Sequence, residues 1–195
     1  AAGVADGNAI PAEGMFPPGF ISCQNAGSYA FDPEAARELL AEAGYKDEDG
    51  DGIVEKDGKK LELVLQTYPE QPLLPPMLEA FQSMLKDIGV AAKVQIVEWT
   101  LASQGGYDLF GYSNDTTTTG DPGWALNRQY LTGGDENRGN FSNSRVDDLI
   151  GQLSSASDPA QRQQIACDAL RAGQDEVALI PVMFPTRLFG ISDAV

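Results

Sequence analysis

The stretch Tyr112-Ser113-Asn114-Asp115-Thr116-Thr117-Thr118-Thr119-Gly120-Asp121-Pro122-Gly123-Trp124 gathers residues that could do chemistry. It offers hydroxyls and an amide for hydrogen bonds, aromatic faces for stacking, and two carboxylates for a cationic group. Asp115 and Asp121 could also serve as a general acid and base, as in carboxylate-dependent glycoside hydrolysis. In a chain with 29 acidic residues, two acids in one loop support that reading weakly. Asp121-Pro122 has a second reading, as the N-cap and first residue of a helix through Trp124 and Leu126, and the two roles can coexist.

A second acidic run, Asp47-Glu48-Asp49-Gly50-Asp51-Gly52, matches the opening of a calcium-binding loop, with Asp47, Asp49 and Asp51 in register. The position where a bidentate Glu should close the shell is Gly58, and Lys59 to Thr67 reads as strand rather than as an exiting helix. A solvated turn is the favoured reading and a calcium-stabilised module the alternative. Histidine is absent, which removes the commonest transition-metal ligand and any Ser-His or Cys-His nucleophile pair within the chain. The residues therefore point to a binding protein with no cofactor rather than to an enzyme.

The bulk properties agree. The 195 residues carry 13 basic and 29 acidic side chains, a formal net charge of −16, with 42% hydrophobic residues. Such a charge repels phosphate backbones, so nucleic acid is excluded as a partner, and it favours a soluble monomer. No apolar run reaches the roughly 18–20 residues that span a bilayer. Cys23 and Cys167 have two readings: a disulfide tying the first segment to the body, if the protein is exported, or two small buried apolar residues.

These side chains need elements to position them. Residues 1–28, rich in Gly and Pro, read as an extended arm lying over something else, with ordered structure beginning at Tyr29. Asp32-Pro33-Glu34 starts a helix carrying Ala36, Leu39, Leu40 and Ala43, and Gly44 stops it. Leu61, Leu63 and Leu65 alternate in a strand to Thr67. Pro75-Pro76 opens a helix through Met77, Leu78, Phe81, Met84, Leu85 and Ile88, closed by Gly89, and Val90 to Trp99 alternates again. This strand–helix–strand unit has the length of a parallel crossover. Tyr107 to Tyr112 is a third strand, so the loop after it stands where ligands of open α/β sheets bind. Ser144-Arg145-Val146-Asp147 and Asp158-Pro159-Ala160-Gln161 cap two further helices, the second using Ile165, Ala166, Ala169, Leu170 and Val177. Leu179 to Phe184 reads as a last strand, which Pro181 places near an edge or at a bulge. The alternation predicts an α/β fold with a mixed, mostly parallel sheet flanked by helices.

Several of these stretches resemble the family 5 extracellular solute-binding proteins of ABC importers, which include dipeptide, oligopeptide and nickel receptors. The resemblance rests on Tyr29 to Tyr45, on the Asp-Gly-Asp-Gly turn with Leu61-Glu62-Leu63, on Gly120-Asp121-Pro122, on Asn140 to Leu149 and on Ile180-Pro181-Val182, in that order. Ala9 to Pro18 is similar to the stretch that crosses between lobes. The resemblance implies one three-layer lobe of a periplasmic-binding-protein-like fold. Residues 1–28 would be the inter-lobe crossover arm and 29–195 the second lobe, with a larger first lobe ahead of Ala1. It further implies an extracytoplasmic location, in the periplasm or as a lipoprotein on the outer face of the cell membrane. It also implies a membrane permease as partner, and a small polar solute held by Tyr112, Ser113, Asn114, Asp121, Trp124 and Thr186. Peptide receptors of the family often place an acid a few residues before the Asp-Pro pair. Here Thr116 to Thr119 fill that stretch, so the resemblance leaves peptide, metal chelate, sugar and opine all open as ligands.

Overall fold

The computed structural model describes residues 4–21, 23, 29–102, 104–186, 190 and 192. Its strands are β1 (Ala9–Pro11), β2 (Glu55–Lys56), β3 (Lys59–Lys60), β4 (Glu62–Thr67), β5 (Ala91–Ile96), β6 (Leu109–Phe110) and β7 (Met183–Pro185). The helices are α1 (Pro33–Glu42), α2 (Leu74–Asp87), α3 (Trp99–Ala102), α4 (Pro122–Gln129), α5 (Ser144–Ser155) and α6 (Pro159–Asp175).

The sheet that positions the candidate site is parallel, in the order β5-β4-β6. Central β4 pairs with β5 along its whole length and with β6 at Leu65↔Leu109 and Gln66↔Phe110. The predicted crossover is present, with α2 packed on β4 and β5. Gly111, just past β6, lies so close to α2 that a Cβ there would fall 2.3 Å from Cδ1 of Leu78. Glycine at that position lets the strand end reach the helix.

A second core is helical. Leu126, Val146, Ile150, Leu153, Ala166 and Ala169 bury one another between α4, α5 and α6. Asp121, Asn143 and Asp158 cap these three helices, each accepting backbone N–H bonds from the first turn. The cap of α5 is thus Asn143, one residue before the expected Ser144, because the amide oxygen of Asn143 reaches the amides of both Arg145 and Val146. The arm is more than a cover. Met15 and Phe16 are part of this core, with Phe20 stacked on Phe16 at 5.0 Å, so order begins well before Tyr29. Cys23 and Cys167 form a disulfide that fastens the arm to α6.

Three helices end alike. After α1, α2 and α6, the residue beyond the C-cap adopts positive φ, and paired 6→1 and 5→2 hydrogen bonds close the helix: Tyr45 to Leu40 with Gly44 to Ala41, Val90 to Leu85 with Gly89 to Lys86, and Ala178 to Gly173 with Val177 to Gln174. Gly44 and Gly89 were legible stops. Val177 occupies the same left-handed position at φ 53°, outside the helix and exposed, which corrects its expected place on the apolar face of α6.

Two other expectations are corrected. The apolar side of α1 is not buried, and Leu39 remains 65% exposed. The last strand shrinks to β7, which pairs antiparallel with β1 in a separate two-stranded ribbon instead of edging the parallel sheet. The ribbon is lengthened by bonds from Thr186 N–H to Asn8 C=O and from Ala12 N–H to Val182 C=O, so the first described segment and the last run side by side. Among the described residues, no helix is long and apolar enough to cross a membrane.

Candidate functional site

Each strand of the parallel sheet delivers an aromatic residue at or just past its carboxyl end: Tyr68 after β4, Trp99 three residues after β5, and Phe110 and Tyr112 at β6. The rings meet. Tyr68 stands edge-on to Trp99 at 4.8 Å, Phe110 lies 6.1 Å from Trp99, and Tyr112 stacks on Phe110 at 5.7 Å with 7° between planes. Tyr107 stacks on the same Phe110 at 5.0 Å. Together they form an aromatic wall in which Trp99 stays 38% exposed.

The sheet fixes this wall rigidly. Thr67 donates through its hydroxyl to the carbonyl of Gly111 at 2.8 Å, and buried Gln66 donates to the carbonyl of Ala102 at 3.2 Å, tying both flanking segments to β4. The Ser113 amide donates to the Tyr68 hydroxyl at 3.1 Å, so the loop after β6 starts in a set position. Burial, reinforced by the Glu136 carboxylate, pushes the Tyr112 hydroxyl up to about 12. Burial also raises Tyr68. Both phenols are therefore neutral hydrogen-bonding groups near pH 7.

Charged residues from the segment between α4 and α5 border the wall. Asn137 braces that segment, donating to the carbonyls of Leu131 and Phe141 and accepting from the Phe141 amide. On one side of Asn137, Glu136 accepts from Arg128 at 2.6 Å and from the side chain of Asn114. Arg128 also holds Asp135 through two nitrogens and lies over the Trp124 ring, 4.7 Å from its centroid. On the other side, Arg138 lies over Trp99, 5.2 Å from the ring centroid. Nε of Arg138 and Nε2 of buried Gln129 are enclosed without an acceptor among the described residues. Gln129 meets Tyr112 only through a long contact of 3.5 Å between its Oε1 and the hydroxyl. Enclosed donors of this kind are uncommon in folded proteins and cost about 1–3 kcal/mol each unless something accepts from them.

Among the residues expected to face a ligand, Tyr112, Ser113, Asn114 and Trp124 come together here. Asp121 has a different surrounding. Its Oδ1 caps α4 through the Gly123 amide at 2.7 Å, while Oδ2 accepts from Nε of Arg162 at 3.1 Å and from a second guanidinium nitrogen. Thr186 lies on the β1–β7 ribbon, and no hydrogen bond joins its side chain to the wall among the described residues. Tyr68, Trp99, Tyr107, Gln129, Glu136 and Arg138 were not singled out from sequence. The available signal was an aromatic residue at or just past the end of each predicted strand.

The acidic turn also acquires geometry. Asp47, Asp49 and Asp51 converge with Glu55, their carboxylate oxygens within 4.8 Å of one another. Glu55, which sequence reasoning passed over, is buried and accepts from the Glu48 amide at 2.8 Å. Asp47 accepts from the amides of Gly50 and Gly52, and the Lys60 ammonium bridges Asp49 and Asp51. A lysine from β3 thus offsets part of the charge of these four acids. The solvated-turn reading accounts for these contacts.

Comparison with known proteins places the chain. Residues 1–137 match the family model described as bacterial extracellular solute-binding proteins, family 5 Middle. The nickel-binding protein NikA of Staphylococcus aureus is 31% identical over 147 residues, covering 74% of this chain and 28% of that protein. The glutathione-binding protein GsiB of Escherichia coli K12 is 28% identical over 182 residues, covering 87% of this chain and 32% of that one. A nickel ABC transporter structure from Bacillus halodurans superimposes with a TM-score of 0.82 at 27% identity, over 94% of this chain and 38% of the other. A mannohexaose-bound oligopeptide-binding protein from Thermotoga maritima shares the fold, with a TM-score of 0.83 at 19% identity. The chain therefore spans about a third of the length of these relatives, and its α/β fold is that of periplasmic binding proteins. It belongs to the family 5 bacterial extracellular solute-binding proteins.

Proposed function

We propose that this chain is the second lobe of an extracytoplasmic receptor that captures a small polar solute reversibly and hands it, unchanged, to an ABC permease. The observation that carries this reading is the aromatic and polar wall at the carboxyl ends of β4, β5 and β6, open to solvent on one side. One wall leaves most of a ligand hydrated, whereas binding sites enclose most of their ligand's surface. A first lobe closing over it like a hinge supplies the other wall. The β1–β7 ribbon, where incoming and outgoing segments lie side by side, suits the hinge, with residues 1–28 as the crossover arm and 29–195 as the lobe.

Capture without turnover fits the chemistry. The chain has no histidine, and the Asp121 carboxylate is engaged by its own helix and by Arg162. The relatives' names span nickel, oligopeptide and glutathione, so the solute class for this chain lies in that range of small polar compounds. The disulfide between Cys23 and Cys167 supports an extracytoplasmic location, since such bonds persist in oxidising compartments. The net charge of −16 supports a monomer.

The test uses the intact gene product that carries this chain. Solute released by denaturation is identified by mass spectrometry, and the same compound is incubated with fresh protein and recovered. Recovery of the unmodified compound is expected. Steady-state conversion of it, abolished by Asp121→Asn, would replace capture with hydrolysis.

A further inference from the structure

We infer that Arg138, seated on the face of Trp99, receives a carboxylate of the solute, which makes the ligand an organic acid with an apolar or planar body. The inference rests on the solute-capture reading and narrows it.

The argument begins with charge. Acids outnumber bases 29 to 13 in this chain, yet Arg138 makes no ion pair among the described residues. Its acidic neighbours in sequence are engaged elsewhere. Both oxygens of Asp135 accept from Arg128, one oxygen of Glu136 accepts from Arg128, and the other accepts from Asn114. Arg138 is nevertheless half-buried, with its Nε enclosed and without an acceptor among the described residues.

Its placement suits recognition. A guanidinium held over an indole has one side covered by the ring, and N–H donors that make no bond among the described residues suit a planar, two-oxygen acceptor. Trp99 is anchored against Tyr68 and Phe110, and the arginine's own backbone is held by the Asn137 brace and by the Tyr107 hydroxyl, which donates to the Arg138 carbonyl at 3.3 Å. The amide nitrogen of Gln129, whose oxygen lies 3.5 Å from the Tyr112 hydroxyl, is a second enclosed donor without an acceptor among the described residues. The wall therefore offers a guanidinium and ring faces. The loop's Asp121, the acid that could have met an ammonium group, is already held by Arg162.

Calorimetry on the intact gene product tests this with trialanine, trialanine amide, glutathione and mannohexaose as probes. Trialanine or glutathione is expected to bind, with trialanine favoured over its amide by about ten-fold or more, as a charge-assisted pair implies. Arg138→Ala should abolish that preference without lowering the melting temperature. Arg138→Lys, which keeps the charge and loses the fork, should recover only part of it. Equal affinity for acid and amide, or a preference that survives Arg138→Ala, overturns the assignment while solute capture stands. Binding of mannohexaose alone does the same. Protein that takes up none of the four and releases no solute on denaturation overturns both readings.

Discussion

Arg162 and Arg138 belong to opposite halves of this molecule. Arg162, between the helices, donates to Asp121 and to the carbonyls of Leu153 and Ala156. Arg138, at the strand ends, lies over a ring and has no acceptor for its Nε among the described residues. The same contrast runs through the surroundings. The helical half is closed: its helices are capped, its apolar side chains interlock, and a disulfide holds the arm against α6. The strand-end half is rigid but unfinished, with an exposed Trp99 and an Arg138 Nε without an acceptor among the described residues, like Gln129 Nε2 where α4 meets Tyr112. Polar groups that stabilise a fold find partners within it, and polar groups kept for a ligand do not.

The comparison can be broken at its strongest point first. Replacing both cysteines with serine should destabilise the protein by about 2–5 kcal/mol, because the bond joins residues 144 apart in sequence and constrains a long loop of the unfolded chain. A urea midpoint no lower than that of the oxidised parent would show that the arm does not need its tether.

The two arginines should then part company. Arg162→Met leaves half-buried Asp121 and two carbonyls without their donor and should cost about 2–3 kcal/mol. Arg138→Met should cost nothing and can raise stability by up to about 3 kcal/mol, since it removes an enclosed donor that the described residues leave without an acceptor. Similar costs at both positions would erase the distinction drawn here.

A smaller effect concerns pH. Burial raises Tyr130 in the helical core and pushes Tyr112 up to about 12, whereas tyrosines of the unfolded chain ionise near their ordinary value of about 10. Below that value both states are protonated and the stability from these phenols is complete. As pH rises further the unfolded chain gives up protons that the folded one retains, so stability falls from about pH 10 upward, through 12 for Tyr112. Tyr130→Phe should flatten that alkaline decline in urea melts, and an unchanged slope would assign the decline to other groups.

The smallest change expected is a gain. Val177 holds a left-handed conformation at φ 53° that suits glycine, and Val177→Gly should stabilise the end of α6 by up to about 1 kcal/mol.

Much of this was legible in the residues. Caps at Asp32 and Asp158, stops at Gly44 and Gly89, and the crossover from β4 through α2 to β5 all follow from local chemistry, which needs no knowledge of distant contacts. What escaped had a tertiary cause. Val177 hid a helix end because a β-branched residue sits where the pattern wants glycine. Phe16 joined the core from a segment without periodicity. Leu39 sits on a face patterned for burial that the described residues do not cover. At the site, the loop from Tyr112 to Trp124 could be found by its position after a strand. Arg138 could not, because its significance lies in Trp99 beneath it and in acids already occupied by Arg128.

The central claim is that this chain contributes one half of a closing clamp. Titration calorimetry with the solute that co-purifies, run on this chain alone and on the intact gene product, tests it most directly. Affinity of the isolated chain at least about a hundred-fold weaker is expected, since a single wall forgoes most of the enclosure that binding requires. Equal affinity in the two proteins would contradict the account.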